Sequence, residues 1–174
     1  TTKIIANVLS KSSSTLKNYN NEIGMPLSIF YAKQNSNNLV IEMGAAKPGD
    51  IKYLSSILKP NIGVITNIGN SHLEKLKNIK GVLEVKSELV SNIKNGGYLV
   101  VPNENKEHLK FWKKIIRGKE LITFGTEKNA DFYAINIKSS IKKQEFNIIS
   151  DKYNIDHKIK TSLSGVHNIK NILA

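Results

Sequence analysis

Two positions that carry a carboxylate and an imidazole follow short apolar runs in the first half of the chain, where they could hold a metal ion or a phosphate. Glu42 comes directly after the apolar run 39–41, and His72 lies in the polar stretch 66–74 that follows the apolar run 62–65. In an open α/β sheet, ligands bind beyond the carboxyl ends of the strands. A carboxylate at the end of a buried strand is costly unless it is paired or bound to metal. These segments favour an enzyme over a binding module, although Glu42 alone also fits a salt bridge and His72 alone fits a loop histidine.

Lys86 lies in the middle of the apolar face of a predicted helix over 79–93. The apolar residues three or four positions away from it are Val82, Leu83, Leu89 and Val90. A lysine in such a stripe can extend its amine outward to water. Alternatively, burial lowers the pKa of the amine, and a neutral amine can react with carbon dioxide to form a carbamate. A carbamate is an anionic oxygen ligand, which suits a hard divalent cation.

The composition is that of a globular protein with an excess of lysine. The chain has 174 residues, 40% hydrophobic and 23% charged, and it has no cysteine, which excludes disulfides and thiolate metal ligands. The net charge is +12, but Arg117 is the only arginine, whereas surfaces that clamp phosphates or read bases favour arginine. We interpret the dispersed lysines as mainly solvated. The alternative of another class is a non-catalytic, lysine-rich domain that binds a polyanion.

Length and hydropathy limit the number of domains and the cellular compartment that we expect for the protein. The length is enough for one domain with a substantial core. The apolar runs are only a few residues long, and no charged start leads into an apolar signal segment. We therefore expect a cytoplasmic protein with no membrane insertion and no nucleic acid partner.

Helix and strand patterns alternate along most of the chain. The predicted helices lie over 1–10, from 24 onward, over 50–58 with Asp50 as N-cap, over 79–93 and 104–116, and from 165–168 to the last residue. Residues 12–14 are predicted only to end the first helix. The predicted strands are 39–43, 62–65, 98–101, 121–124, 132–137, 145–149 and 155–159, the last three with no helix between them. The predicted fold class is α/β, a mostly parallel sheet flanked by helices with a small antiparallel strand appendage.

Six segments, taken in order, resemble the central ATPase domain of the Mur ligases. They are 18–27 (NYNNEIGMPL), 41–44 (IEMG), 49–51 (GDI), 66–74 (TNIGNSHLE), 86–88 (KSE) and 165–171 (GVHNIKN). The resemblance covers essentially the whole chain and implies the P-loop-like fold of that domain. The paired asparagines at 20 and 21 favour, within the family, the branch that adds D-Ala-D-Ala. A sibling Mur ligase or a folylpolyglutamate synthase-like ligase is the alternative.

The resemblance implies an ATP-dependent ligase that forms an amide bond in the synthesis of a peptidoglycan precursor. ATP would phosphorylate the terminal carboxylate of UDP-N-acetylmuramoyl-tripeptide, and the amine of D-Ala-D-Ala would attack the acyl phosphate. Magnesium ions would bridge the phosphates and stabilise the charge that develops there. The implied cofactors are therefore ATP and Mg²⁺, and the implied partners are these two substrates of a monomeric enzyme.

The family pattern also assigns roles to residues of this chain. By resemblance, Glu42 and His72 match magnesium ligands and Lys86 matches a carbamylated lysine, and these three are the implied catalytic residues. The implied cofactor-binding residues are Thr1, Asn67, His167 and Asn168, and the implied substrate-binding residues are Asn20 and Asn21. Within that set, Asn168 matches an adenine-contacting position, and Thr1 matches the magnesium-binding threonine or its neighbour.

The chain departs from the family pattern at its start. The phosphate-binding loop of the family is a glycine-rich turn ending in Gly-Lys-Thr, whereas this sequence begins with Thr1-Thr2-Lys3. We therefore expect residues 1–174 to be a central domain truncated at both ends, lacking the N-terminal UDP-substrate domain and the C-terminal domain. We expect this fragment to be inactive alone.

Overall fold

A computed structural model describes residues 1–69, 76 and 78–174, so that His72 lies outside the described residues. The helices are α1 (Thr2–Val8), α2 (Gly24–Phe30), α3 (Asp50–Leu58), α4 (Ile79–Ser87), α5 (Lys106–Ile115) and α6 (Val166–Leu173), and a 3-10 helix (Glu88–Asn92) follows α4. The strands are β1 (Ser12–Ser14), β2 (Asn38–Val40), β3 (Ile62–Val64), β4 (Tyr98–Pro102), β5 (Glu120–Gly125), β6 (Phe132–Ser139), β7 (Gln144–Ser150) and β8 (Ile155–Thr161). Within the described ranges, no helix combines the length and the apolar character needed to cross a membrane.

Six of the strands form one sheet in the order β3-β4-β5-β6-β7-β8. Strands β3 to β6 run parallel, whereas β7 and β8 are antiparallel to their neighbours. The α/β prediction is therefore confirmed. The antiparallel strands that the sequence predicts as an appendage continue the same sheet through β6. Strands β1 and β2 form a second, two-stranded parallel sheet.

Helices cover both faces of the large sheet, as the alternation of side chains in β4 demonstrates. Leu99 and Val101 pack into a core with α3, α4, the 3-10 helix and α5. Val100, between them, packs into a second core with α6. Successive strand residues point to opposite faces, and parallel strands are typically buried on both. The carboxyl ends of the strands are therefore the part of the sheet at which a ligand can be reached by loop residues.

The prediction that residues 12–14 only end the first helix is wrong, because they form β1. They pair in parallel with residues 38–40 of β2. The hydroxyls of Ser13 and Ser36 lie 2.7 Å apart and join this strand to the loop before β2. Three consecutive serines lack the alternation of apolar and polar residues that indicates a strand. Pairing with a segment distant in sequence determines their structure instead.

The predicted helix over 79–93 changes type within its length. The α-helix ends at Ser87, and the chain continues as the 3-10 helix Glu88–Asn92. A tighter 3-10 turn is frequent at the C-terminal end of an α-helix. The change of type falls one residue after Lys86, between Ser87 and Glu88, so the lysine lies in the last turn of α4.

The prediction that Asp50 is the N-cap of α3 is also wrong. The N-cap is Gly49, whose φ of 92° favours glycine, and Asp50 is the first helical residue. The Asp50 carboxylate accepts hydrogen bonds from the backbone N–H groups of Ala46 and Lys47, at 3.0 and 2.9 Å. Asp50 therefore stabilises the turn before the helix.

Candidate functional site

A cleft of about 1140 Å³ opens between the β1–β2 pair and the β3 edge of the large sheet. Its walls come from α1, from residues 37–45 around β2, from residues 58–66 around β3, from Lys86 of α4 and from the end of α6. Glu42 and Thr66 line it just beyond the ends of β2 and β3. The cleft is therefore at the position where α/β proteins bind ligands.

Glu42 is exposed at the end of β2, and its carboxylate contacts two neutral groups. One oxygen accepts a hydrogen bond from Nδ2 of Asn20 at 3.0 Å, and the other accepts from Oγ1 of Thr2 at 3.5 Å. The Glu42 backbone N–H donates to Oγ1 of the buried Thr15 at 2.6 Å, which fixes the strand end. Because both side-chain partners are neutral, they orient the carboxylate without compensating its negative charge.

Gly44 allows the loop that carries Asn20 to approach the end of β2. The Gly44 N–H donates to the backbone carbonyl of Asn20 at 2.7 Å. A Cβ at position 44 would lie 3.0 Å from Oδ1 of Asn20, so a larger residue would push the asparagine aside. The lack of a side chain at Gly44 thus helps to hold Asn20 against Glu42.

The two threonines at the start of the chain connect three elements around the cleft. Oγ1 of Thr1 donates to Oδ1 of Asn171 on α6 at 2.7 Å, whereas Thr2 faces Glu42. All four side chains line the cleft. The start of α1 is therefore joined to both α6 and the end of β2.

Lys86 extends from α4 into the cleft and is half-buried. Its Nζ donates a hydrogen bond to the backbone carbonyl of Asn67 at 2.7 Å. Desolvation by burial lowers the pKa of the amine below its usual value. At a given pH, more of the amine is therefore neutral than in a lysine fully exposed to water.

The helix end that carries Lys86 is fixed by Trp112 of α5. Trp112 is fully buried, and its Nε1 donates to Oγ of the buried Ser87 at 2.8 Å. Ser87 is the residue after Lys86, so this bond restrains the backbone next to the lysine. A buried pair that satisfies both polar groups favours one arrangement of the two helices.

Four residues predicted to bind nucleotide or substrate do not line the cleft. One is Asn67, whose backbone carbonyl accepts the hydrogen bond from Lys86. Oδ1 of Asn21 accepts from the N–H of Gly24 at 2.8 Å, at the start of α2. Nδ2 of Asn168 donates to the backbone carbonyl of Ser164 at 2.7 Å, in the turn before α6, and His167 is exposed. The roles assigned to these residues remain predictions.

Two cleft residues, Thr2 and Asn171, are not among the predicted site residues. Asn171 lies three positions after Asn168, so helical spacing places both on one side of α6. That spacing is a signal that could have identified Asn171. The local sequence does not decide whether Thr1 or Thr2 faces Glu42, because the answer depends on how α1 packs against β2.

The donor groups of the cleft suit a small, hard cation together with phosphate oxygens. Glu42 is the one acidic side chain among the described residues that line it, and Thr1 and Thr2 add hydroxyls. Mg²⁺ is commonly held by one or two carboxylates, substrate phosphates and water. The donor set therefore fits such an ion, and Lys86 could supply a second anionic oxygen ligand as a carbamate. His72, the remaining predicted ligand, lies outside the described residues.

The sequence is similar to that of known ligases along nearly its whole length. The sequence model described as "Mur ligase middle domain" matches residues 1–174. The UDP-N-acetylmuramoyl-tripeptide–D-alanyl-D-alanine ligase of Buchnera aphidicola subsp. Baizongia pistaciae is 35% identical over 161 residues, which are 92% of this chain and 34% of the relative. The ligase of the same name from Escherichia coli K12 is 30% identical over 176 residues, 99% of this chain and 38% of the relative. The chain thus spans little more than a third of the length of these relatives.

The fold is likewise similar to solved structures. A crystal structure of MurF from Acinetobacter baumannii superposes with a TM-score of 0.87 at 25% identity, over 98% of this chain and 36% of that one. The MurF ligase from Thermotoga maritima in complex with ADP gives a TM-score of 0.81 at 23% identity, over 99% of this chain and 39% of that one.

Proposed function

Because the chain belongs to the Mur ligase family, whose middle-domain model matches all of residues 1–174, we propose that it is the ATP-binding middle domain of a ligase that joins D-Ala-D-Ala to UDP-N-acetylmuramoyl-tripeptide. Support comes from relatives that carry the name of this reaction and align with nearly the whole chain. The observation that carries the proposal is the cleft, which gathers Glu42, Lys86 and the hydroxyls of Thr1 and Thr2 around one space.

The proposed reaction forms one amide bond and converts ATP to ADP and phosphate. The terminal carboxylate of the tripeptide attacks the γ-phosphorus of ATP, which gives an acyl phosphate and ADP. The neutral amine of D-Ala-D-Ala then attacks the acyl carbon, phosphate leaves, and the nitrogen loses a proton. The first step brings two anionic groups together, so the site must place compensating charge beside their oxygens.

We assign Glu42, His72 and Lys86 as the ligands of Mg²⁺, which when bound would neutralise charge on the phosphate oxygens and the new acyl phosphate. Asn20 and Thr2 orient the Glu42 carboxylate through their hydrogen bonds. Thr2 faces this carboxylate and Thr1 faces α6, so Thr2 is the better placed of the two hydroxyls to contact the same ion.

The role that we assign to Lys86 requires a covalent change. Its neutral amine attacks carbon dioxide, an N–C bond forms, and the nitrogen loses one proton to give a carbamate. A half-buried amine with a lowered pKa supports this step, because only the neutral form reacts. The product replaces the amine, which now donates to the backbone carbonyl of Asn67, with an anionic oxygen group.

Nucleotide and peptide contacts are assigned to the rim of the cleft. We propose that Asn67, His167 and Asn168 contact the nucleotide, and that Asn20 and Asn21 face the phosphates and the acceptor carboxylate. Asn67 is supported by its bond to Lys86, and Asn168 by its place on the same side of α6 as Asn171. Water-soluble substrates of this kind are consistent with a monomeric enzyme of the cytoplasm.

We propose that this domain is the middle part of a longer ligase. Among the described residues, β2 pairs only with β1 and β3 pairs only with β4, so both strands present an edge to the cleft between them. Unpaired strand edges are normally covered. A further strand of the same protein, leading into a phosphate-binding loop, would pair with both edges and place that loop beside Thr1.

The direct test is the reaction itself, measured with the full-length ligase. We expect one ADP and one UDP-linked pentapeptide for each D-Ala-D-Ala consumed, detected by coupled ADP assay and mass spectrometry. Single amino acids, including those used by sibling ligases, serve as control acceptors of the acyl group. If product forms with a single amino acid but not with the dipeptide, the proposed substrate is wrong and the protein is a sibling ligase. If the protein binds polyanions without ATP and forms no product, the proposed ligase function is wrong.

A further inference from the structure

Glu88, two residues after Lys86, makes contacts for which the reaction above assigns no role. One carboxylate oxygen accepts from the backbone N–H of Gly49 at 2.8 Å, and the other accepts from the N–H of Lys52 at 3.0 Å. Both N–H groups belong to the start of α3, where backbone donors have no partner within the helix and where negative charge is favourable. Glu88 therefore supplies, from another part of the chain, the cap that Asp50 does not provide.

The start of α3 is also the end of the loop that leads away from Glu42. Near the beginning of this loop, the N–H of Gly44 is hydrogen-bonded to a neighbouring loop at 2.7 Å. In its middle, the Asp50 carboxylate accepts from two backbone N–H groups at 3.0 and 2.9 Å. At its end, Glu88 holds Gly49. The loop is thus held along its length. Met43 and Ala45 pack against the core beneath the helices, and Glu88 adds a hydrogen bond between the end of the loop and the 3-10 helix.

The backbone of Glu88 is continuous with that of Lys86 at the junction of α4 and the 3-10 helix. Ser87, between them, is buried and bonded to Trp112 at 2.8 Å. The three residues therefore form a rigid junction in which one side chain enters the cleft, one enters the core and one binds the start of α3. A shift of α3 relative to Glu88 would change the position of the Glu42 loop relative to Lys86.

We infer that Glu88 is a positioning residue, which fixes the spacing between Lys86 and Glu42, both of which line the cleft. This inference rests on the proposed function, because the spacing matters only if both residues hold the same ion. A simpler role would be that Glu88 stabilises α3 and nothing more. Asn92 separates the two roles, since its Nδ2 also binds α3, at the carbonyl of Lys52 and at Oγ of Ser55, both at 2.9 Å, but it does not reach the loop.

The experiment uses the full-length ligase with ADP and measures Mn²⁺ affinity by electron paramagnetic resonance, together with hydrogen exchange over residues 43–52. We expect Glu88→Ala to weaken Mn²⁺ binding about 10-fold, the lower end of what is found when groups that orient metal ligands are lost, and to speed exchange in this segment. Glu88→Gln keeps an acceptor oxygen and should show a smaller loss of affinity. Glu84→Gln changes an exposed glutamate of the neighbouring helix α4 and should change neither quantity.

Asn92→Ala decides between the two roles. Positioning by Glu88 is supported by two results together. Asn92→Ala should lower the melting temperature but keep Mn²⁺ affinity within about twofold of the wild type, whereas Glu88→Gln should weaken Mn²⁺ affinity. If the Glu88 variants exchange faster over residues 43–52 but bind Mn²⁺ like the wild type, the inference is wrong and Glu88 only stabilises α3. If Glu88→Ala does not fold, Glu88→Gln gives the answer. A wild-type ligase that binds no Mn²⁺ with ADP would overturn the proposed function together with this inference.

Discussion

Replacing Lys86 with alanine in the full-length ligase is expected to lower kcat by about 10²–10³-fold, the cost of removing one group that stabilises charge in the transition state. The physical reason is the loss of an anionic ligand from a cleft whose one other acidic side chain, among the described residues, is Glu42. Binding of the peptide substrate should change little, because the role proposed for Lys86 is to hold the metal ion beside the phosphates and not to contact the peptide. Steady-state kinetics with varied tripeptide nucleotide would measure kcat and KM separately.

Two control variants separate the carbamate from the positive charge of Lys86. Lys86→Arg keeps the charge but cannot form a carbamate at ordinary pH, since the guanidinium stays protonated, so it should be as inactive as the alanine variant. Lys80→Ala removes an exposed lysine of the same helix and should leave activity unchanged. Full activity in Lys86→Ala would refute the carbamate proposal, and full activity in Lys86→Arg would show that a cation is sufficient.

Replacing Trp112 with alanine is expected to lower the free energy of unfolding by about 3–5 kcal/mol, the usual cost of removing a large buried aromatic side chain. Trp112 is fully buried in the core shared by α3, α4 and β4. The substitution leaves a cavity and deprives the buried Ser87 hydroxyl of its donor. Urea unfolding of the full-length protein, followed by circular dichroism, would measure the loss.

Matched aromatic variants show how much of this loss comes from packing. Trp112→Phe keeps most of the apolar contact but leaves Ser87 without its partner, which should cost about 1–3 kcal/mol. Phe30 is 81% exposed on α2, and Phe30→Ala should change stability by no more than about 0.5 kcal/mol. A loss in Trp112→Ala that is no larger than in Phe30→Ala would contradict the assignment of Trp112 to the core.

The strands that could be predicted are those whose own residues form an apolar run, which indicates burial. The largely apolar runs 62–65, 98–101 and 121–124 overlap β3, β4 and β5, because parallel strands covered on both faces are mostly apolar. Strand β1 could not be predicted in this way. Its three serines have no strand pattern, and only pairing with residues 38–40 makes them a strand.

The same distinction applies to the candidate site. Glu42 and Lys86 could be proposed from the sequence because each follows or interrupts an apolar pattern with a charge that is expensive to bury, and both line the cleft. Asn171 and Glu88 interrupt nothing, and Glu88 looks like an ordinary helical glutamate in the sequence. Their hydrogen bonds are to partners far along the chain, Thr1 for Asn171 and Gly49 for Glu88. Contacts of this kind depend on tertiary packing, which cannot be predicted from a local sequence pattern.

The central claim is that Glu42 and Lys86 hold one divalent cation beside the phosphates of ATP. The most direct measurement is a crystal structure of the full-length ligase, grown with bicarbonate, Mn²⁺ and a non-hydrolysable ATP analogue, in which anomalous scattering locates the ion. The expected result is a manganese peak within coordination distance of the Glu42 carboxylate and of a carbamate on Lys86, next to the phosphates. A peak that contacts neither residue, or an unmodified Lys86 beside a fully bound nucleotide and ion, would contradict it.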